Sequence, residues 1–320
     1  MLQKHSAAGH VFFTVIVGCL LLASAVIADA QDSDQSQSPS LSRARALVVA
    51  NDFPGAEKAL REIVREQPNS VAVLNLLGFV LFRENQPKDS LDFLTRAAAI
   101  RPPRADVLKV MGLDCVLLKD NPGADRYLTL SLQQDSSDTV ALYYLGRVKY
   151  TEGCFLDAVD AFERVLRADP HNVRAENNLG LGLEALNRTE EAVAAYRAAI
   201  AMEQGAPNPS EQPLLNLGIL LTNRGQLQEA ISLLAHAATL APKSPKVHFG
   251  LGRAYMLVDR WDDARKEMEQ AVALDAADGG LHFQLGKVYR HLGLLPQARA
   301  EFSLSEGLFG SQAASDDPMP

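Results

Sequence analysis

Cysteine is scarce in this 320-residue chain, and so are aromatic residues: three cysteines, one tryptophan and 6% aromatics in all. Cys19 lies in an apolar N-terminal run, which leaves Cys115 and Cys154 downstream. Two are too few for a disulfide framework, and neither belongs to a CxxC or a zinc-ligand spacing. Each reads as small apolar filler. Basic runs are absent too. The 31 Lys and Arg are dispersed among 39 Asp and Glu, for a net charge of −8. A sequence-independent phosphate binder needs a concentrated basic face, so no nucleic-acid partner is expected. The seven histidines are scattered with no HExxH among them, and His236, His282 and His291 read as surface or packing residues. Asp135-Ser-Ser-Asp138 reads as a turn, not a carboxylate pair. Neither a metal nor a cofactor is expected.

What is present first is a distinct N-terminus. Lys4 precedes an apolar run from Val11 to Ala28, which ends in the small-x-small triplet Ala28-Asp29-Ala30 and then in polar QDSDQSQSPS. That layout predicts an export signal over 1–30, cut after Ala30, and a polar linker over 31–36. Two alternatives stay open. The run is near the roughly 20 residues that span a bilayer, so an uncleaved anchor fits. Ile16-Val-Gly-Cys19 is similar to a lipobox, with Cys19 as the lipidated residue, although the residues after Cys19 are apolar. The expected location is periplasmic or secreted. The alternative is membrane-anchored facing the extracytoplasmic side, with membrane contact only through this segment.

The rest is periodic. Gly78, Gly112, Gly146, Gly180, Gly218, Gly252 and Gly286 each follow a Leu or Met. Twelve residues after each lies a small residue (Ser90, Ala124, Ala158, Ala192, Ala230, Ala264, Ala298), and four further on a bulky one, from Leu94 to Phe302. Ala44, Ala56 and Leu60 mark an earlier copy, and Pro68, Pro102, Pro170 and Pro242 close several copies. The step is 34 residues, with one of 38 where Pro207-Asn-Pro-Ser210 intervenes. A period in this range, with apolar residues at helical spacing, predicts stacked helix pairs. A glycine inside a helix costs about 1 kcal/mol relative to alanine. Its recurrence makes sense where the missing side chain lets a partner helix approach, with the small residue twelve later as the matching surface. Gly153, Asn187, Gly225 and Gly293 read as stops between paired helices.

These offsets resemble the signature of the tetratricopeptide repeat (TPR) family. The resemblance implies an all-α fold, a right-handed superhelical α-solenoid of stacked helix-turn-helix repeats, with first helices lining a concave groove. Eight copies are expected over 37–312: 37–70, 71–104, 105–138, 139–172, 173–206, 211–244, 245–278 and 279–312, with an insertion at 207–210 and a disordered tail at 313–320. Gly180-Leu-Gly182 is then helix interior and not a phosphate loop, whose glycines need free backbone N–H groups between a strand and a helix. Asn187-Arg-Thr189, a glycosylation sequon, is then a turn.

Repeats fill nearly all of the chain after its leader and leave no room for a catalytic domain, so no enzymatic activity is expected. The resemblance places first-helix positions three before, one after and four after the glycine toward the groove. In this chain these give Tyr143, Arg147 and Tyr150; Phe249, Arg253 and Met256; and Phe283, Lys287 and Arg290. An aromatic beside a cation suits an extended peptide with apolar side chains and a carboxylate. Asn178 and Asn216, two before the glycine, resemble family residues that hydrogen-bond a peptide backbone, since an amide both donates and accepts. The family's clamp for chaperone tails is not supported, because Lys109 is followed by Leu113 where an Asn is required. The expected role is a non-catalytic scaffold that binds protein or peptide partners. A membrane-attached assembly factor is the alternative.

Overall fold

The structure, a computed structural model, describes residues 38–315, with side chains through 309. The expected signal segment, Cys19 and the linker lie outside the described residues. Among the described residues there are sixteen α-helices and no strand. None of these helices is long and apolar enough to cross a membrane.

The chain divides into two compact units, the first ending at Pro170 and the second starting at His171. The first holds α1 (Pro39–Val49), α2 (Phe53–Glu66), α3 (Val71–Arg83), α4 (Pro87–Ile100), α5 (Ala105–Leu118), α6 (Asn121–Gln134), α7 (Thr139–Thr151) and α8 (Phe155–Ala168). The second holds α9 (Val173–Ala185), α10 (Thr189–Met202), α11 (Gln212–Asn223), α12 (Leu227–Leu240), α13 (Pro245–Leu257), α14 (Trp261–Leu274), α15 (Gly279–His291) and α16 (Leu295–Ser315). Within each unit an odd-numbered helix packs on the even one that follows, and each hairpin packs on the next.

Local chemistry sets the boundaries. Ser38, Asp52, Asp120, Asp138, Asn172 and Asp278 accept hydrogen bonds from backbone N–H groups of the helices they precede, satisfying donors that a helix start leaves open. Each hairpin turn contains one residue in the left-handed region: Asn51, Asn85, Lys119, Gly153, Asn187, Gly225, Asp259 and Gly293. Asn187, at φ 58°, fills the same turn position as Gly153 at φ 78°. Asn and Asp tolerate this region better than other side chains do. The sequon asparagine is therefore a turn residue.

The packing behind the glycines differs in detail from the sequence expectation. A Cβ at Gly180 would lie 2.5 Å from the Tyr196 ring, one at Gly146 2.8 Å from Phe162, and one at Gly286 2.6 Å from Phe302. The bulky residue sixteen positions on, and not the alanine at twelve, occupies the space that the glycine leaves. The alanines do their own part, since Ala124, Ala158, Ala192, Ala230 and Ala264 are wholly buried. Gly180 and Gly182 both lie buried inside α9.

Two further details refine the sequence reading. The 203–211 segment after α10 is a longer loop, in which Ser210 N–H donates to Glu203 Oε1 at 2.9 Å and Gly205 takes φ 80°. α16 runs to Ser315, so residues 313–315 of the expected tail are helical, and 316–320 lie outside the described residues.

Candidate functional site

In the first unit, α7 carries Tyr143, Arg147 and Tyr150. The Arg147 guanidinium lies 6.0 Å from the Tyr143 ring centroid and 5.4 Å from that of Tyr144. Tyr143 also meets the Phe162 ring at 6.0 Å, and Tyr150 meets Phe155 at 5.4 Å. All three α7 residues are half-buried. The two tyrosines therefore brace α7 against α8 while keeping part of their surface in solvent.

In the second unit the aromatic–cation pair recurs twice at the same repeat position. Arg253 lies 5.8 Å from the Phe249 centroid on α13, and Lys287 Nζ lies 5.9 Å from that of Phe283 on α15. A cation over an aromatic face is worth about 0.5–1 kcal/mol at exposed sites. Arg253 also donates to Asn223 Oδ1 at 3.3 Å. Phe283 is the most open of these aromatics, at 46% exposure, and its ring is tilted at 55° to that of Phe302, with centroids 5.7 Å apart. Arg290 lies 5.7 Å from that same Phe302 ring.

The asparagines are connected, though not as a free ladder. Asn216 Nδ2 donates to Asn177 Oδ1 at 2.9 Å, and Asn177 Nδ2 donates to Asn178 Oδ1 at 3.5 Å. Buried Asn177 thus bridges the two expected groove amides and ties α9 to α11. One donor of Asn216 is committed inside the protein, which leaves its carbonyl oxygen and second N–H for anything outside.

Surface cavities add to the geometry. A depression of about 410 Å³ is lined by Met256, Trp261, Lys287, Arg290 and His291. Trp261 and His291 stack at 3.6 Å with an interplanar angle of 16°. A second, of about 250 Å³, sets Phe249 beside Lys246, Asp275 and Asp278. A third, about 120 Å³, lies in the first unit around Val71, Asn75 and Arg104. The sequence reading left Trp261 unmentioned and took His291 for a surface or packing residue. The available signal was that Trp261 is the only tryptophan in the chain.

Other polar groups serve the architecture. The Lys109 ammonium is paired with the carboxylate of Asp138, which also caps α7. His248 Nδ1 lies 2.7 Å from Glu267 Oε2 and its Nε2 3.0 Å from the Pro242 carbonyl. One repeat later His282 repeats this with Glu301 at 2.6 Å and the Ala276 carbonyl at 3.1 Å. Asp114 is wholly buried, bonded through Oδ2 to Ser90 Oγ at 2.6 Å while Oδ1 has no partner. Burial pushes its carboxyl up to about 8. Cys115 is buried and its thiol is pushed up to about 12, first by burial and then by nearby carboxylates. Cys154 differs from the apolar filler expected of it: it is exposed, at the N-cap of α8. Ser137 N–H and Oγ–H both donate to Asp135 Oδ1, so Asp135 to Asp138 is a turn. Among the described residues no group of three or more His, Cys, Asp or Glu is placed to hold a metal ion.

Stacked helix hairpins with one left-handed turn residue per pair, and in seven of the eight pairs a glycine covered by the bulky side chain sixteen residues on, define a helical-repeat protein. The chain belongs to the tetratricopeptide repeat family: models of that description match residues 41–105, 143–209 and 221–278. Among curated proteins it is 23% identical over 176 residues to a DnaJ homolog subfamily C member 7 homolog from Dictyostelium discoideum, covering 51% of this chain and 33% of that protein. It is 32% identical over 110 residues to the peroxisomal targeting signal receptor of Saccharomyces cerevisiae, covering 34% of this chain and 17% of that one. The chain thus spans about a third or less of the length of these relatives. The fold is shared with the pilus biogenesis factor PilW (TM-score 0.59, 21% identity, 64% of this chain and 94% of that one). It is shared equally with the Cut9–Hcn1 complex (TM-score 0.59, 20% identity, 87% of this chain and 54% of that one).

Proposed function

We propose that the protein is a non-catalytic scaffold whose first helices bind peptide segments or partner subunits. The observation that carries the reading is the aromatic–cation pair found at the same repeat position on α7, α13 and α15. A half-exposed ring beside a cation offers an apolar contact and a charge to the same short stretch of a ligand, and its recurrence on α13 and α15 within the second unit suits an extended ligand. Membership of a repeat family supports a role in protein–protein contact, because stacked hairpins present long surfaces. Changing Arg147 and Arg253 to Glu tests it: capture of the physiological partner, identified by crosslinking in intact cells, should fall about tenfold or more. Unchanged capture removes the groove cations from the account.

The proposed setting is extracytoplasmic, on the strength of the Val11–Ala28 run and Ala28-Asp29-Ala30. A mature mass starting at Gln31 supports it. The second reading is an assembly factor attached to the membrane, through a lipid on Cys19 or through an uncleaved Val11–Ala28 anchor. Acyl labelling that vanishes in Cys19→Ser would establish the first route, a mature mass that retains residues 1–30 would establish the second, and an unlabelled chain starting at Gln31 would remove both.

A further inference from the structure

The 410 Å³ depression on the second unit has a chemistry of its own. Its volume falls inside the roughly 300–1,000 Å³ typical of ligand pockets. Lys287, Arg290 and His291 stand three and four residues apart, which puts them on one face of α15. Met256 comes from α13 and Trp261 opens α14, so three helices contribute to the lining. Lys287 and Arg290 contact the rings of Phe283 and Phe302, and among the described residues neither has a carboxylate within ion-pair distance. Carboxylates on neighbouring turns have other partners. Asp259 Oδ1 accepts from Trp261 Nε1 at 3.2 Å, and Glu269 accepts from Tyr289 at 3.0 Å. The depression therefore pairs two unneutralised cations with a thioether and an indole in a protein whose net charge is −8.

We infer that this depression anchors an acidic side chain of a bound peptide. Its carboxylate would sit between Lys287 and Arg290, and an adjoining apolar side chain would rest against Met256 and Trp261. Charge complementarity selects this occupant. A basic segment would meet two like charges, and a purely apolar one would leave both cations without a partner. A carboxylate accepts from both, in charge-assisted bonds stronger than neutral ones. The inference rests on the scaffold reading above and adds to it a sequence preference. The cations have a competing structural role, because Arg290 and His291 lie in the last turn of α15, where positive charge complements the helix dipole.

The test uses the full chain and a library of capped, amidated heptapeptides with every position randomised. The expected result is enrichment of peptides carrying Asp or Glu next to an apolar residue. Lys287→Gln combined with Arg290→Gln should abolish that enrichment and weaken a selected peptide about tenfold or more. In the parent, the selected peptide should change the emission of Trp261, the sole tryptophan. Two outcomes overturn the inference and leave the scaffold reading standing: selection without acidic preference, or acidic preference that survives the double substitution. A double variant that loses stability but keeps the same selection also overturns it, and assigns the cations to the helix dipole. If the parent selects no peptide at all, the inference is overturned, while the scaffold reading is decided separately by capture of the physiological partner. Circular dichroism of the variant shows whether its helices are intact.

Discussion

Asp114 should make this protein less stable as pH rises. It projects from α5 at the position two after the glycine, where other copies carry Val80, Val148, Leu220, Ala254 and Val288. Its single hydrogen bond goes to Ser90, which stands where the other copies have alanine. Burial pushes the Asp114 carboxyl from an ordinary 3.8 up to about 8. The unfolded chain gives up this proton near pH 4, whereas the folded chain keeps it to about pH 8. Between those values the folded state binds more protons, so stability is full below pH 4, declines across the interval and levels off above it. Each tenfold difference in proton affinity between the two states is worth about 1.4 kcal/mol, so at pH 7 the acid withdraws about 4 kcal/mol. Asp114→Asn keeps the shape and a hydrogen bond to Ser90 but has no proton to lose. The variant should match the parent near pH 4 and exceed it by several kcal/mol at pH 8. Urea denaturation of both proteins, with hydrogen exchange of the α4 and α5 amides as a local measure, reads the difference. If parent and variant run parallel from pH 4 to pH 8, the buried-acid argument is refuted.

Gly180→Ala should destabilise by roughly 1–3 kcal/mol in spite of alanine's helix preference of about 1 kcal/mol, because its methyl lands 2.5 Å from the Tyr196 ring. Urea midpoints measure it, and a stabilised variant would show that the ring moves aside at little cost. The His282–Glu301 pair should give a coupling of about 1–3 kcal/mol in a double-mutant cycle with His282→Leu and Glu301→Leu. The cycle on His248 and Glu267 should return a similar value, and additivity at both sites would reduce the pairs to ordinary surface contacts.

Much of the architecture was legible because its causes are short in sequence. A glycine, the bulky side chain that covers it sixteen residues later and a left-handed turn between them all fall within one hairpin, so nearly every copy states its own geometry. Asn187 and Gly153 could be placed in turns for that reason. The polar contacts join different parts of the period: Ser90 to Asp114, Asn177 to Asn216 and His248 to Glu267. No local rule pairs such residues, because side-chain direction decides which of them meet. The signal lay in departures from the repeat. His248 and His282 replace Leu at one position, while Glu267 and Glu301, in step with them, depart together at another. Two departures at the same interval announce a contact. The candidate site was legible in part, since the first-helix positions that the family resemblance marks carry the aromatic–cation pairs. The depression beside Trp261 combines three helices, and no single helix's pattern contains it.

The loop at 203–211 has a consequence for how such a chain changes length. Its extra residues lie between two hairpins, held by Glu203 and a glycine at positive φ, while the helices on either side keep the form of the other pairs. Growth at a seam leaves the folding grammar on both flanks intact, whereas one added residue inside a helix would rotate the later side chains of that helix by about 100°. Insertions therefore have a natural address here, and an affinity tag or a protease site placed near Asn208 would give experimenters a handle on the second unit that the repeats themselves never register.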